Sequence, residues 1–192
     1  MSNGNGTSKL TITEALQEIK TIGKRLEKKR QTVGQYLARD SRFHDPFEKD
    51  GGSEKYIHTE RQSISDLETR VIAIRTAIQR SNLDSQMAVN GRTMSVAEWL
   101  TWRRELATNA NNFLKAITNT LGQTRQQVQS KGGKVIAALA QVNEASNPAD
   151  PPQVVVNVDE KKVIEEQEAM EQTLGDLDGK LSLFNATTVI QA

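Results

Sequence analysis

Ile57-His-Thr-Glu-Arg-Gln-Ser-Ile-Ser-Asp-Leu-Glu-Thr-Arg-Val-Ile-Ala-Ile-Arg-Thr-Ala-Ile78 is the stretch whose reading decides the fold. Its apolar residues Ile57, Ile64, Leu67, Val71, Ile74 and Ile78 recur at alternating steps of three and four, apart from one full step of seven. That spacing lays them on one side of a helix, with Arg61, Asp66, Glu68, Arg70 and Arg75 around the rest. The stripe is a coiled-coil seam, narrower than the face of a helix lying on a mixed core. Such a seam must be covered by other helices, and the chain carries three more with the same rhythm.

Composition points the same way. In 192 residues, charged side chains make up 26% and aromatics only 4%, so Leu, Ile, Val and Ala must supply most of the core through helix contacts. Formal net charge is +1, which provides no global attraction to nucleic acid or an anionic membrane. There are no cysteines, which excludes disulfides, thiolate metal sites and a cysteine nucleophile. Residues Met1 to Ser8 lack an apolar core and a basic start, so they are not a signal peptide, and residues 1–10 read as a flexible arm. No run approaches the roughly 18 apolar residues of a membrane span. A soluble protein made in the cytoplasm is expected.

The first helix is expected from Thr11, which with Glu14 three residues on forms a capping box. Ile12, Leu16, Ile19, Leu26, Val33 and Leu37 carry it to about Ala38, with Gly23 as an interruption. Lys24, Arg25, Lys28, Lys29 and Arg30 form a basic run on it. Without interleaved aromatics for base stacking, the run reads as a solvated or ion-paired face and not a phosphate site. Pro46 and Gly51-Gly52 make residues 39–53 a loop. His44, Asp45, Glu48 and Asp50 in it match no metal-ligand spacing, so no metal is expected. Phe43 and Phe47 are expected to pin the loop to a neighbouring helix or subunit.

Beyond the seam, Asn90-Gly91 between short strand-like stretches predicts a β-hairpin over about 86–94. Ser95 and Glu98 make a second capping box, opening a helix over about 96–130. Trp99 and Trp102, three apart near its start, read as core anchors in preference to a ligand-stacking pair. Gly132-Gly133 ends that helix, Val135 to Val142 is a short apolar run of ambiguous period, and Asn147 to Pro152 is a linker. Val154, Val155 and Val156 predict a strand over about 153–158 with both faces covered. The last helix, about 159–184, places Val163, Met170, Leu174, Leu177 and Leu181 on its seam. Its acidic outer face, from Glu160 to Asp176, complements the basic first helix, and antiparallel pairing of the two is expected. The tail to Ile190 is apolar enough to dock. The expected fold is therefore mainly α: a bundle of long heptad-patterned helices with a hairpin and one further strand, forming one elongated domain over 11–192.

The chain resembles the septicolysin-like proteins, a family of helical proteins of bacteria and their phages. Leu10-Thr-Ile-Thr-Glu-Ala-Leu-Gln-Glu-Ile19 with Arg25-Leu26 looks like the opening helix of that family. Asn90-Gly-Arg-Thr-Met94 looks like its central turn. Val155-Val-Asn-Val-Asp159, Leu177-Asp178 and Asn185-Ala-Thr-Thr188 resemble its strand, last helix and closing motif. Ala186 stands where the family often has tryptophan, and Gly132 to Pro152 differs. The resemblance implies a helical, oligomeric protein with no cofactor and no enzyme activity attached to it.

No catalytic residues are expected. The only imidazoles are His44 in a polar loop and His58 on a charged helix start. No Gly-rich phosphate loop, His-Glu-x-x-His or dinucleotide fingerprint is present. The expectation is a non-catalytic protein that self-associates through its seams, without specific nucleic acid. Its most specific form is a phage virion component, with other virion proteins as further partners. The alternative is an oligomeric, toxin-like membrane-active protein, for which Val135 to Val142 is the one candidate inserting segment and is too short to span as a helix.

Overall fold

The computed structural model describes residues 8–130 and 154–192. It is mainly α, with two small antiparallel two-stranded sheets. In chain order it comprises β1 (Lys9–Thr11), α1 (Ile12–Gln35), a 3-10 turn (Glu48–Asp50), α2 (Gly52–Asp84), β2 (Gln86–Val89) and β3 (Arg92–Ser95). There follow α3 (Val96–Thr101), a π-helical segment (Trp102–Ala107), α4 (Thr108–Ser130), α5 (Glu160–Thr187) and β4 (Val189–Gln191). Where one domain was expected, the described residues group into two compact units. The first holds those up to Ala88, Thr93–Ala97 and Gly179–Ala192; the second holds Val89–Arg92 and those within Glu98–Asp178.

The first unit is built on α1 and α2. Thr11, in extended backbone, accepts from the Glu14 N–H at 3.2 Å while its own N–H donates to Glu14 Oε2 at 2.8 Å, so the capping box forms as expected. α1 ends at Gln35, where the Tyr36 N–H closes the last turn on Val33 O, slightly short of the expected Ala38. Residues 36–51 then turn the chain back. Ion pairs Lys29–Glu60 at 2.7 Å and Arg70–Glu18 at 2.8 Å fix α1 and α2 as antiparallel neighbours. Ile12, Ala15, Ile22 and Leu26 of α1 are buried with Ile74 of α2 and Ile190 of β4. Gly23 has open space where a Cβ would stand, so it marks no close helix approach.

Two strand expectations are corrected. Residues 8–10, expected in a flexible arm, are ordered: β1 pairs antiparallel with β4, Leu10 opposite Ile190, and Ser8 and Ala192 exchange backbone hydrogen bonds of 2.9 and 3.2 Å. This sheet anchors the apolar tail, with Ile190 buried in the core. By contrast, residues 154–158 form no strand, and Val155 is 80% exposed. Three valines favour extended backbone, but a strand also needs a partner edge, and none meets this segment among the described residues. The hairpin is present as expected. Asn90 (φ 45°) and Gly91 (φ 75°) both hold the positive φ of a type I′ turn between β2 and β3.

In the second unit, α4 and α5 run antiparallel. Arg103 meets Asp178 at 2.9 Å, Lys115 meets Glu171 at 3.7 Å, and Arg125 pairs with Glu160. The pairing expected between the basic run of α1 and the acid of α5 is therefore corrected. Lys29 and Arg30 find Glu60 and Glu68 on α2, while the acids of α5 find the cations of the π-helical segment and α4. Each of these helices pairs with its neighbour in the order of the described helices. The readings made on residues 1–7 and 131–153 lie outside the described residues.

Candidate functional site

The expected association seam starts with α2. Ile74 is fully buried between α1 and β4, whereas Ile64, Leu67, Val71 and Ile78 are half-buried against the same core. Ile57 is half-buried further up the helix and lines a cavity with Tyr36, Leu37 and His58. Ile72 and Leu83, eleven residues and so about three turns apart on α2, face outward at 65% and 63% exposure. At 100° per residue they stand more than 100° round the helix from the middle of the stripe that packs on α1. On α5, Leu177 and Leu181 are buried and Val163, Met170 and Leu174 half-buried. The α5 seam residues fall in different units: Leu181 belongs to the first, the other four to the second.

The loop before α2 is held by its own chemistry. Asp45 accepts from the Ser53 N–H at 2.8 Å, the Ser53 hydroxyl at 2.7 Å and the Phe47 N–H at 2.9 Å, so it caps α2 from the loop. These bonds, the Ser53 hydroxyl foremost, hold its carboxyl below the usual aspartate range. Phe47 stacks on Tyr56 with centroids 4.0 Å apart, and Tyr36 meets both rings edge-on. Phe47 pins the loop as expected, but Phe43 does not, being 69% exposed. No group of three or more metal-ligating side chains comes together among the described residues.

Sequence reasoning missed a cleft in the second unit. Trp99 is buried and meets the half-buried Trp102 edge-to-face, centroids 5.4 Å apart and planes at 89°. With Val89, Leu114 and Met170 they form the floor and wall of an open cavity of about 520 Å³. Trp99 is the core anchor expected, while Trp102 and the exposed Phe113 also present ring surface to the cavity. The hairpin turn adds Asn90 and Arg92, and α5 adds Glu166, Ala169 and Thr173 from one helical face. The Asn90 side-chain amide donates to the Thr173 hydroxyl at 3.0 Å, closing one end. The π-helical segment begins at Trp102 itself. Such widened turns recur at functional sites.

Among the described residues, the groups whose acidity clearly departs from its ordinary value are Glu14, Asp40, Arg42 and Asp45, all in exposed caps and loops. None lies in the cleft. No described helix is long and apolar enough to cross a membrane. No family model, no curated protein and no solved structure matches this chain.

Proposed function

We propose that the protein is a non-catalytic assembly component that self-associates through the apolar surface of its helical seams that α1 leaves uncovered on α2. The observation that carries this reading is the one-sided coverage of α2. Only Ile74 of the stripe is fully buried, and Ile72 and Leu83 form a second, exposed apolar strip more than 100° round the helix from it. A second copy's α1–α2 pair laid against that uncovered face would complete a four-helix arrangement, and a two-fold axis makes the same face complementary to itself. Net charge near neutral leaves little repulsion between copies. Its most specific form is a virion component of a phage, which rests on composition and on the septicolysin-like resemblance.

The test is sedimentation velocity over a wide concentration range, with wild type beside an Ile72→Glu, Leu83→Glu double variant. A discrete multimer for wild type, shifted to monomer in the folded variant, is expected. A wild type that stays at the monomer mass of 21.3 kDa throughout overturns the reading.

A further inference from the structure

The tryptophan cleft carries two charges that the fold itself does not use. Along α5, Glu160, Glu171 and Asp178 are each paired with a cation of the π-helical segment or α4. Glu166, on the cleft side, has no ion-pair partner among the described residues, and neither does Arg92 at the opposite lip. Arg92 stands two residues from Asn90, whose side chain is tied to Thr173. Glu166 lies seven residues from Thr173 on α5, about 10 Å at 1.5 Å per residue. The cleft is thus lined by a cation of the hairpin, an anion of α5 about 10 Å along that helix from the residue that holds the hairpin turn, and the apolar surface of Trp102, Phe113 and Met170.

We propose that this cleft binds an extended peptide segment of a partner protein, with an acidic side chain facing Arg92, a basic one facing Glu166, and an apolar side chain on the rings between. An extended chain rises about 3.3 Å per residue, so acidic and basic residues three apart match the roughly 10 Å of α5 between Glu166 and the anchor of the hairpin turn. The cavity volume of about 520 Å³ accommodates one large apolar side chain with adjoining backbone. Exposed aromatic surface flanked by opposite charges is the arrangement that gives a peptide groove both grip and direction. The inference is independent of self-association, since the cleft is built wholly from the second unit.

The protein contains two tryptophans, and both line the cleft, so tryptophan emission, excited selectively over that of Tyr36 and Tyr56, reports this site alone. The probes are the blocked peptides acetyl-Asp-Leu-Leu-Lys-amide and acetyl-Lys-Leu-Leu-Asp-amide, with a control in which Asp and Lys become Ser. A saturable emission change is expected with one charged order, at an affinity roughly tenfold above the neutral control for two partly exposed charge pairs. Reversing both ends together, Arg92→Glu with Glu166→Lys, is expected to exchange the preference between the two orders. Circular dichroism checks that the variant is folded. No saturable change with any peptide overturns the proposal. So does equal binding of the neutral control, which would make the cleft a pocket for small apolar molecules. Binding that the double reversal leaves untouched would show that Arg92 and Glu166 do not read the ligand, and would overturn it too.

Discussion

Ile74→Ala tests the core of the first unit, with Ile72→Ala two residues away as its control. Ile74 is fully buried among Ile12, Ala15, Ile22, Leu26 and Ile190, while Ile72 on the same helix is 65% exposed. Truncating isoleucine to alanine removes three carbons. At about 0.8 kcal/mol per buried methylene the transfer loss alone is about 2.4 kcal/mol. The void left beside the rigid α1–β4 wall adds to this, placing the total in the range of roughly 2–5 kcal/mol. Ile72→Ala, losing little contact within one copy, should change stability by less than about 0.5 kcal/mol in dilute protein.

The assay is urea unfolding followed by far-ultraviolet circular dichroism, comparing midpoints at an unchanged slope. A thermal melt should show Ile74→Ala lowered by about 2–4 °C for each kcal/mol lost. A loss below about 0.5 kcal/mol for Ile74→Ala would refute the burial argument. The Ile72 variant connects this test to assembly. If copies associate through that face, its cost should grow with protein concentration, because association stabilises the folded chain by mass action.

Three further outcomes are expected. Because hydrogen bonds from Ser53 and Phe47 lower the pKa of Asp45 in the fold, its contribution is complete above the ordinary value of about 3.9 and is lost as pH falls through the lowered one. The difference in thermal midpoint between wild type and Asp45→Asn should thus be constant near neutrality and close in acid. Gly91→Ala should cost roughly 1 kcal/mol in equilibrium unfolding, because its φ of 75° crowds any Cβ against the backbone. Arg70→Met, which removes the bonds to Glu18 and to the Ser8 hydroxyl at 2.6 Å, should cost up to about 1 kcal/mol. Amide exchange should also quicken at β1, and unchanged protection of Leu10 would count against that link.

The parts of the fold that were legible are those written within a few residues of each other. Thr11 and Glu14 declare a helix start three residues apart, Asn90-Gly91 declares a turn in two, and the α2 stripe repeats every turn. Each depends on local geometry that no distant partner can change. The misreadings all concern partners. Val154 to Val156 have the side chains of a strand, yet a strand exists only when another edge arrives. The edges that do meet are Lys9–Thr11 and Val189–Gln191, each too short for a period of two to register. The charge match between α1 and α5 was chemically sound and structurally empty for a related reason. Cations and acids are spread over nearly every helix, so complementarity alone selects no pair, and the pairs that form join helices consecutive in the chain. The cleft combines both difficulties. Its π-helical turn, Trp102-Arg-Arg-Glu-Leu-Ala107, contains no glycine or proline to announce it, and its charged ends come from a hairpin and a helix some seventy residues apart. Only Trp99 and Trp102 were visible in advance, and their spacing suits a core anchor equally well. What separates a site from a core here is the pair of charges without ion-pair partners among the described residues, a property of the assembled unit and of no single segment.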